Sequence, residues 1–382
     1  MEEITSFEKK INLGLSMNIF DEFYLINSQN KLIDKNVKLE QSKNPKITVV
    51  MTVYNNENNL LRCLRSIQNQ SLKNIEIIIV DDCSTDNSVE LIKQYQKEDP
   101  RIILIEHESN ESPIKSRSDG IRMAKGKYIT LIDGDDAFLH QDILKNSLYI
   151  AQTGDIDVIE FNYAKYNDKG FVEVAQFYYD LNLTNILYQP ELSNKFINTN
   201  KYFRGGFSNR AIWGKLVRNE IFKKVLEYIG VEYENEYITL AEDTIMTIAL
   251  FRSANSYYFI KELGYHYNIG KKGKNIVAKN KVCKPNNKIK DFSFFKFLKF
   301  LVTKAGKDEK NQIMAYREMT LGVNYKKYLK KCKMGKKHYE IIYFIFDKIL
   351  EFEFLNKERK DNIIRLRNKF FKKKNIEKIK HF

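Results

Sequence analysis

Cysteine is scarce in this chain of 382 residues: Cys63, Cys83, Cys283 and Cys332 are the whole set. None sits in a Cys-x-x-Cys pair. Neither a disulfide framework nor a zinc site is expected, and a reducing compartment fits. Proline is also scarce while lysine and asparagine abound, a bias read as genome composition. No apolar stretch approaches the roughly 20 residues that a membrane-spanning helix needs. The opening residues, MEEITSFEKK, lack the basic start and apolar run of a signal peptide. A cytoplasmic location is therefore expected, and the Asn-x-Ser/Thr triplets at Asn69, Asn110 and Asn182 read as chance matches. No internal repeat is evident.

Hydrophobic residues make up 43% of the chain and aromatics 13%, enough for a sizeable core, so wholesale disorder is excluded. The formal net charge of +15 is unevenly spread. Residues 1–270 hold 31 Lys and Arg against 38 Asp and Glu, a net of −7. Residues 271–382 hold 33 against 11, a net of +22. An acidic body thus carries a basic tail, which points to an anionic partner for the tail.

Residues 1–45 are mixed and polar and carry no assigned role. From Lys46 to Tyr54 the chain turns continuously apolar and β-branched, as a buried parallel strand does. Leu60, Leu61, Leu64 and Ile67 then recur at helical spacing. Ile75–Val80 is a second buried strand, ending at Asp81-Asp82, and Asp86 is expected to N-cap the next helix. A third strand is expected over 101–106, a helix over 112–124 and a fourth strand over 127–132. Strands alternating with helices predict an α/β fold with a mostly parallel sheet flanked by helices. Ligands gather at the carboxyl ends of such strands. Those ends are Tyr54-Asn55, Asp81-Asp82 and Asp133–Asp136. Beyond them, short apolar runs at 156–159, 177–179 and 212–213 read as further strands and loops of the same domain.

Asp133-Gly134-Asp135-Asp136 sets three carboxylates directly after a buried strand. Like charges this close repel unless a cation neutralises them. A hard ion, Mg²⁺ or Mn²⁺, takes carboxylate and phosphate oxygens together and would compensate a departing diphosphate. A solvated acidic turn is the competing reading. The carboxylate of Asp82 suits the N–H of a nucleobase, Tyr54 could stack on a base, and Thr52 and Asn55 offer polar contacts. Glu242-Asp243 opens an apolar helical stretch, where acidic residues also simply favour the positive end of a helix. Trp213 could face a sugar ring or sit in the core. His266 is a lesser candidate for a ligand.

Taken in order, several motifs resemble the family 2 glycosyltransferases of the GT-A fold. They are Val53-Tyr54-Asn55-x-Glu57, Val80-Asp81-Asp82-x-Ser84-Thr85-Asp86, Ser116-Arg117-Ser118, Gly126–Ile129 and Asp133–Asp136. The resemblance is strong over about 46–140 and weaker over 205–267. It implies donor binding by Thr52, Tyr54, Asn55, Glu57, Asp82, Arg117 and Asp135, with Asp82 on the base and Arg117 on the diphosphate. It implies Asp135 and Asp136 as metal and ribose-side carboxylates, with Asp133 as support. Asp243 maps onto the catalytic base, Glu242 and Trp213 onto the acceptor side, and Gly205–Phe207 and Ala211–Leu216 onto the segment before the base. Thr52 stands where many members have proline. Ser116-Arg117-Ser118 keeps the arginine of the family's Ala-Arg-Asn but loses its asparagine.

The expected organisation is an N-terminal extension (1–45), a GT-A-like domain (46–270) and a basic, mainly helical C-terminal region (271–382). The expected activity is metal-dependent, inverting transfer of a sugar from a nucleotide-diphosphate-sugar, UDP by default. The acceptor would be a glycan, a lipid carrier or a protein. Two other readings remain: a nucleotidylyltransferase-like enzyme, which usually needs a glycine-rich phosphate loop that Tyr54–Glu57 does not supply, and a non-catalytic nucleotide-sugar-binding protein. For the tail, Lys296, Lys299 and Thr303 make a narrow polar stripe on an otherwise apolar helix. The tail admits peripheral association with the cytoplasmic face of an anionic membrane or a helical subdomain with its apolar face packed inward. No nucleic acid is expected, because no recognised binding motif accompanies the basic residues.

Overall fold

The computed structural model describes residues 39–167, 170–174, 185–196, 211–239, 241–270, 293–305, 307, 312, 315, 336–353 and 355–372. The chain divides into two compact units, residues 1–236 with 242–279, and residues 237–241 with 280–382.

The first unit is built on β1 (Ile47–Val53), α1 (Leu60–Gln68), β2 (Ile75–Asp81), α2 (Ser88–Glu98), β3 (Ile102–Glu106), α3 (Pro113–Met123) and β4 (Tyr128–Asp133). It continues through β5 (Ala137–Phe138), α4 (Ile143–Thr153), β6 (Val158–Asn167), β7 (Gly170–Val174), β8 (Leu187–Tyr188) and α5 (Glu191–Phe196). It closes with β9 (Lys215–Arg218), α6 (Asn219–Ile229), α7 (Val231–Glu234), α8 (Glu242–Ser253) and β10 (Ser256–Asn268).

One sheet runs in the order β3-β2-β1-β4-β9-β6-β10-β5, with β7 beside β6 and β8 beside β10. Its first four strands are all parallel. β1, β2 and β4, inside the edge strand β3, read as mostly apolar runs because helices cover both faces, leaving no solvent side to demand alternation. β1 and β2 are buried at every position except Thr52. The second half is mixed. β9 runs antiparallel to both β4 and β6, while β6 and β10 are parallel. The α3–β4 turn lies flat against β1: a Cβ on Gly126 would come within 2.4 Å of the backbone nitrogen of Thr48.

Register brings the strand ends together. Val53 pairs with Asp81, and Thr52 with Asp133. Successive residues alternate faces in a strand, so Thr52, Asp82 and Asp133 fall on the face that α3 covers. There, Gly120 of α3 has its Cα so close that a Cβ would meet Val50 Cγ1 at 2.4 Å.

Ile212-Trp213 lies in the loop before β9. One local expectation is corrected: Asn87, not Asp86, occupies the N-cap position of α2. Asp86 still accepts the Ser88 N–H at 3.0 Å, and its other oxygen takes the Glu57 N–H at 3.0 Å. The apolar run at 177–179 and the Gly205–Phe207 segment lie outside the described residues, as do residues 1–38 of the expected extension.

The second unit contains α9 (Ser293–Ala305), α10 (Lys336–Leu350) and α11 (Lys357–Lys372). Phe297, Leu298, Phe300, Leu301 and Val302 of α9 are buried, as are Ile342, Ile345, Phe346 and Ile349 of α10 and Ile363 of α11. Within this unit Lys296 donates to the Tyr237 carbonyl at 3.0 Å. Arg367 pairs with Asp347 at 2.7 Å and lies over the Tyr343 ring. The apolar faces are therefore packed inward. No helix among the described residues is long and apolar enough to cross a membrane.

Candidate active site

The site begins where β4 ends. Asp133 closes the strand, and its carboxylate accepts the Thr52 hydroxyl at 3.2 Å and an Arg117 N–H at 2.9 Å. The chain then turns tightly: the Gly134 N–H reaches the Thr52 carbonyl at 2.9 Å and the Asp136 N–H the Asp133 carbonyl at 3.0 Å. A side chain at 134 would strike Asn56 Nδ2 at 2.8 Å and the Thr52 carbonyl at 3.1 Å, so glycine is what lets the loop close.

The two carboxylates that follow are in different situations. Asp136 is buried at 1% exposure. Its Oδ2 accepts the Tyr265 hydroxyl at 2.7 Å and its Oδ1 the Asn268 N–H at 2.7 Å, both from β10. Burial, then Asp135 and Asp133, push its pKa well above the ordinary range. Asp135 is only partly buried, and among the described residues no side chain donates to its carboxylate. Burial and the neighbouring Asp133 push its pKa up to about 6. Arg62 of α1 grips the Asp135 carbonyl at 2.6 Å and fixes the loop from the other side.

This charge pattern fits a cation. Negative charge is concentrated and undercompensated around Asp135. Among the described residues no set of three or more His, Cys, Asp and Glu converges into a ready cage. A divalent ion would thus rest on one or two carboxylates, chiefly Asp135, and complete its shell with phosphate oxygens and water, as Mg²⁺ commonly does. His266 is paired with Ala137 across β10 and β5, buried and stacked 4.1 Å from Tyr166, and burial holds its pKa down to about 3, which keeps the ring neutral.

Arg117, on α3, ties the loop to α8. Its side chain is 4% exposed. One nitrogen meets Asp133 at 2.9 Å; the other lies 2.8 Å from Asp243 Oδ1 and 3.8 Å from Glu242 Oε1. Burial opposes its charge, but Asp243, Asp133 and Glu242 outweigh that and push its pKa up. Burial lifts the Asp243 carboxyl above the ordinary range, Arg117 pulls it back, and Asp133 adds to the rise. Burial and then Asp243 lift Glu242 further. The two carboxyls titrate as a pair. Arg117 sits closer to Asp243, so Asp243 ionises first and Glu242 keeps the shared proton.

On the opposite side lie the residues matched to nucleotide binding. Thr52 is bonded to Asp133, and Tyr54 is 45% exposed at the mouth of the strand ends. Asn55 and Glu57 are loop braces. Asn55 has φ of 54°, donates its N–H to Ser84 Oγ and accepts from the Thr85 N–H at 2.8 Å. Glu57 accepts from the Asn87 backbone and side chain at 3.1 and 3.0 Å. Asp82 accepts the Glu111 N–H at 2.7 Å and the Ser112 N–H at 3.1 Å, immediately before α3.

Trp213 is buried at 6% exposure, between Tyr265 at 4.5 Å and Tyr267 at 5.0 Å in stacked arrangements, with Tyr163 edge-on at 5.0 Å. It is part of an aromatic stack behind the Asp136–Tyr265 bond rather than an open platform. Tyr265, Asn268 and Arg62 are the contributors that sequence reasoning missed. Tyr265 and Asn268 flank His266, the residue that did draw notice there.

The strand order and helices define the class of protein: a GT-A-type α/β fold. Staphylococcus aureus TarS residues 1–349, solved with UDP-GlcNAc, shares it at a TM-score of 0.57, with 18% identity and 83% of each chain covered. At that identity the likeness speaks for the fold alone.

The sequence carries the identification further. Residues 48–226 match Glycosyl transferase family 2. Glycosyltransferase GlyA of Streptococcus pneumoniae is 34% identical over 196 residues, 50% of this chain and 27% of GlyA. Glycosyltransferase GlyG of the same organism is 28% identical over 223 residues, 57% of this chain and 71% of GlyG. Over residues 48–226, a little under half of its length, the chain matches the family 2 glycosyltransferase domain. It spans about a quarter of the length of GlyA, and the helix bearing Asp243 lies beyond the family match.

Proposed function

We propose that the protein transfers a sugar from a nucleotide-diphosphate-sugar, UDP-linked, to an acceptor hydroxyl with inversion at the anomeric carbon. The observation that carries this reading is Arg117. One buried guanidinium joins the Asp133 loop, where a donor diphosphate would lie, to Asp243, the candidate base. UDP as the nucleotide is supported by the fold-mate TarS, solved with UDP-GlcNAc.

In this reading Tyr54 and Asp82 hold the base, with Thr52 beneath it, and Asp135 faces the diphosphate. A Mg²⁺ or Mn²⁺ ion held by Asp135 would neutralise the charge on the departing nucleoside diphosphate. Asp136 braces the loop through Tyr265 and Asn268, and with one hydrogen bond on each oxygen it keeps lone pairs for a share in the ion. Arg117 keeps Asp243 ionised and aimed. Asp243 takes the acceptor hydroxyl's proton as the oxygen attacks the anomeric carbon from the face opposite the leaving group. Glu242, still protonated, can donate a hydrogen bond to the acceptor.

The test is a panel of nucleotide-sugars assayed for nucleoside diphosphate release with and without divalent ions. Release from a UDP-sugar that chelator abolishes is expected. Turnover of a nucleoside triphosphate to pyrophosphate in its place would transfer the reading to a nucleotidylyltransferase.

A further inference from the structure

His107 makes contacts that the mechanism above leaves unused. It follows β3, and its backbone N–H bonds the Asp81 carbonyl at 3.0 Å. Its Nδ1 lies 3.0 Å from Asp82 Oδ1, and its Nε2 lies 3.3 Å from Asp119 Oδ2. Asp119 is on α3 and is gripped by Lys115 Nζ at 2.6 and 2.7 Å. The imidazole is 10% exposed and the Asp82 side chain 6%. A carboxylate oxygen that already accepts the Glu111 N–H can take only another donor, so the ring presents N–H to Asp82.

The hydrogen-bond capacity of Asp82 is then nearly filled. A carboxylate has about four lone-pair sites. Oδ1 receives Glu111 N–H and His107, and Oδ2 receives Ser112 N–H. The remaining site is on Oδ2. A carboxylate that can accept one more hydrogen bond at one fixed oxygen suits a base with a single imide N–H. It suits poorly a base whose ring nitrogen there is itself an acceptor. It also suits poorly a base that offers two parallel N–H groups, which would need both oxygens.

We propose that His107, with Asp119 beside its Nε2, is a positioning residue that fixes the Asp82 carboxylate so that it discriminates among nucleobases. This rests on the reading of Asp82 as the base contact. Without His107, the carboxylate can turn about its own axis and accept through Oδ1 as well. Uracil then loses a preset partner, and cytosine and guanine lose less.

The experiment measures binding of UDP, CDP and GDP to the full chain by calorimetry with Mn²⁺ present. His107→Ala is expected to weaken UDP by about tenfold, the scale of one well-placed hydrogen bond to a charged group, with CDP and GDP nearly unchanged. His107→Asn, whose side-chain amide can replace the Nδ1 N–H, is expected to restore most of the preference for UDP. Asp119→Asn gives an independent reading should His107→Ala fail to fold: it is expected to erode the preference partway. Equal loss for all three nucleotides in either variant, or unchanged UDP binding, would overturn the proposal and leave His107 as loop packing. A wild-type protein with no preference for UDP over CDP would instead overturn the reading of Asp82 on which it rests.

Discussion

Replacing Arg117 with methionine keeps much of the side-chain volume and removes the charge that Asp133, Glu242 and Asp243 share. The structure fixes the size and sign of the effect. Asp243 lies 2.8 Å from the guanidinium and is 28% exposed. With charge centres about 4 Å apart and an effective dielectric constant near 20, such a pair is worth about 4 kcal/mol. At about 1.4 kcal/mol per pKa unit this would move Asp243 by up to about 3 units. Solvent at the open side reduces that to about 1–2 units. Arg117 lowers the Asp243 pKa, so its removal raises it. The acid limb of kcat/KM against pH, set by a carboxyl already above the ordinary aspartate value, is expected to move up by about 1–2 units in Arg117→Met. The variant would lose about 3- to 25-fold near pH 6.5 and recover much of it near pH 9. Arg117→Lys keeps the charge and should keep the limb closer to its original position. The assay is nucleoside diphosphate release across pH, with far-UV circular dichroism to confirm the fold. A profile lowered uniformly at all pH values, with its limb unmoved, would refute the idea that Arg117 sets the ionisation of Asp243.

Three further outcomes follow from the same geometry. Asp135→Asn should abolish Mn²⁺-dependent donor binding, and in the wild type Mn²⁺ affinity should rise with pH through about 6 and level off, as Asp135 deprotonates; paramagnetic relaxation of water protons measures both. Asp99→Ala removes one partner of a fully buried pair, since Asp99 meets Arg101 at 2.7 Å, and should cost about 3–5 kcal/mol in urea unfolding. Burial alone would raise the Asp99 pKa, but Arg101's bonds and charge hold it below the ordinary value. Its contribution should therefore be present above about pH 4 and fade as pH falls through the depressed folded value. We also propose that the C-terminal unit meets anionic membranes through charge: Lys357, Arg359 and Arg365 of α11 are exposed, while Ile363 is buried and Ile364 and Leu366 are partly buried. Co-sedimentation with phosphatidylserine vesicles that 0.5 M salt fails to release would contradict a purely electrostatic contact.

The first half of the domain was legible in the sequence for a physical reason. Parallel strands covered on both faces must be apolar throughout, so β1, β2 and β4 announce themselves, and the first polar residues after them mark the ligand edge. Asp133–Asp136 could be found because the local run both ends a strand and concentrates charge. What surrounds that run could not. Tyr265 and Asn268 act on Asp136 from a strand about 130 residues away, with β9 and β6 between it and β4. Nothing local marks a tyrosine hydroxyl or a backbone N–H as the occupant of a carboxylate. The same limit applies to Trp213, for which composition allowed either a sugar platform or a core residue; the stack against Tyr265 and Tyr267 decides for the core. Arg117 was found by its motif, but its partners on α8 were not, because ion pairing across elements leaves no periodicity in the chain.

The central claim is that Asp243 does chemistry and does not hold the donor. The most direct measurement is Asp243→Asn, assayed in parallel for UDP binding by calorimetry and for sugar transfer or donor hydrolysis. The account predicts UDP affinity within about twofold of wild type, since Asp243 has no part in nucleotide binding, and turnover reduced by about 10²–10⁴-fold, the span of a lost general base. Turnover close to wild type, with binding intact, would contradict it.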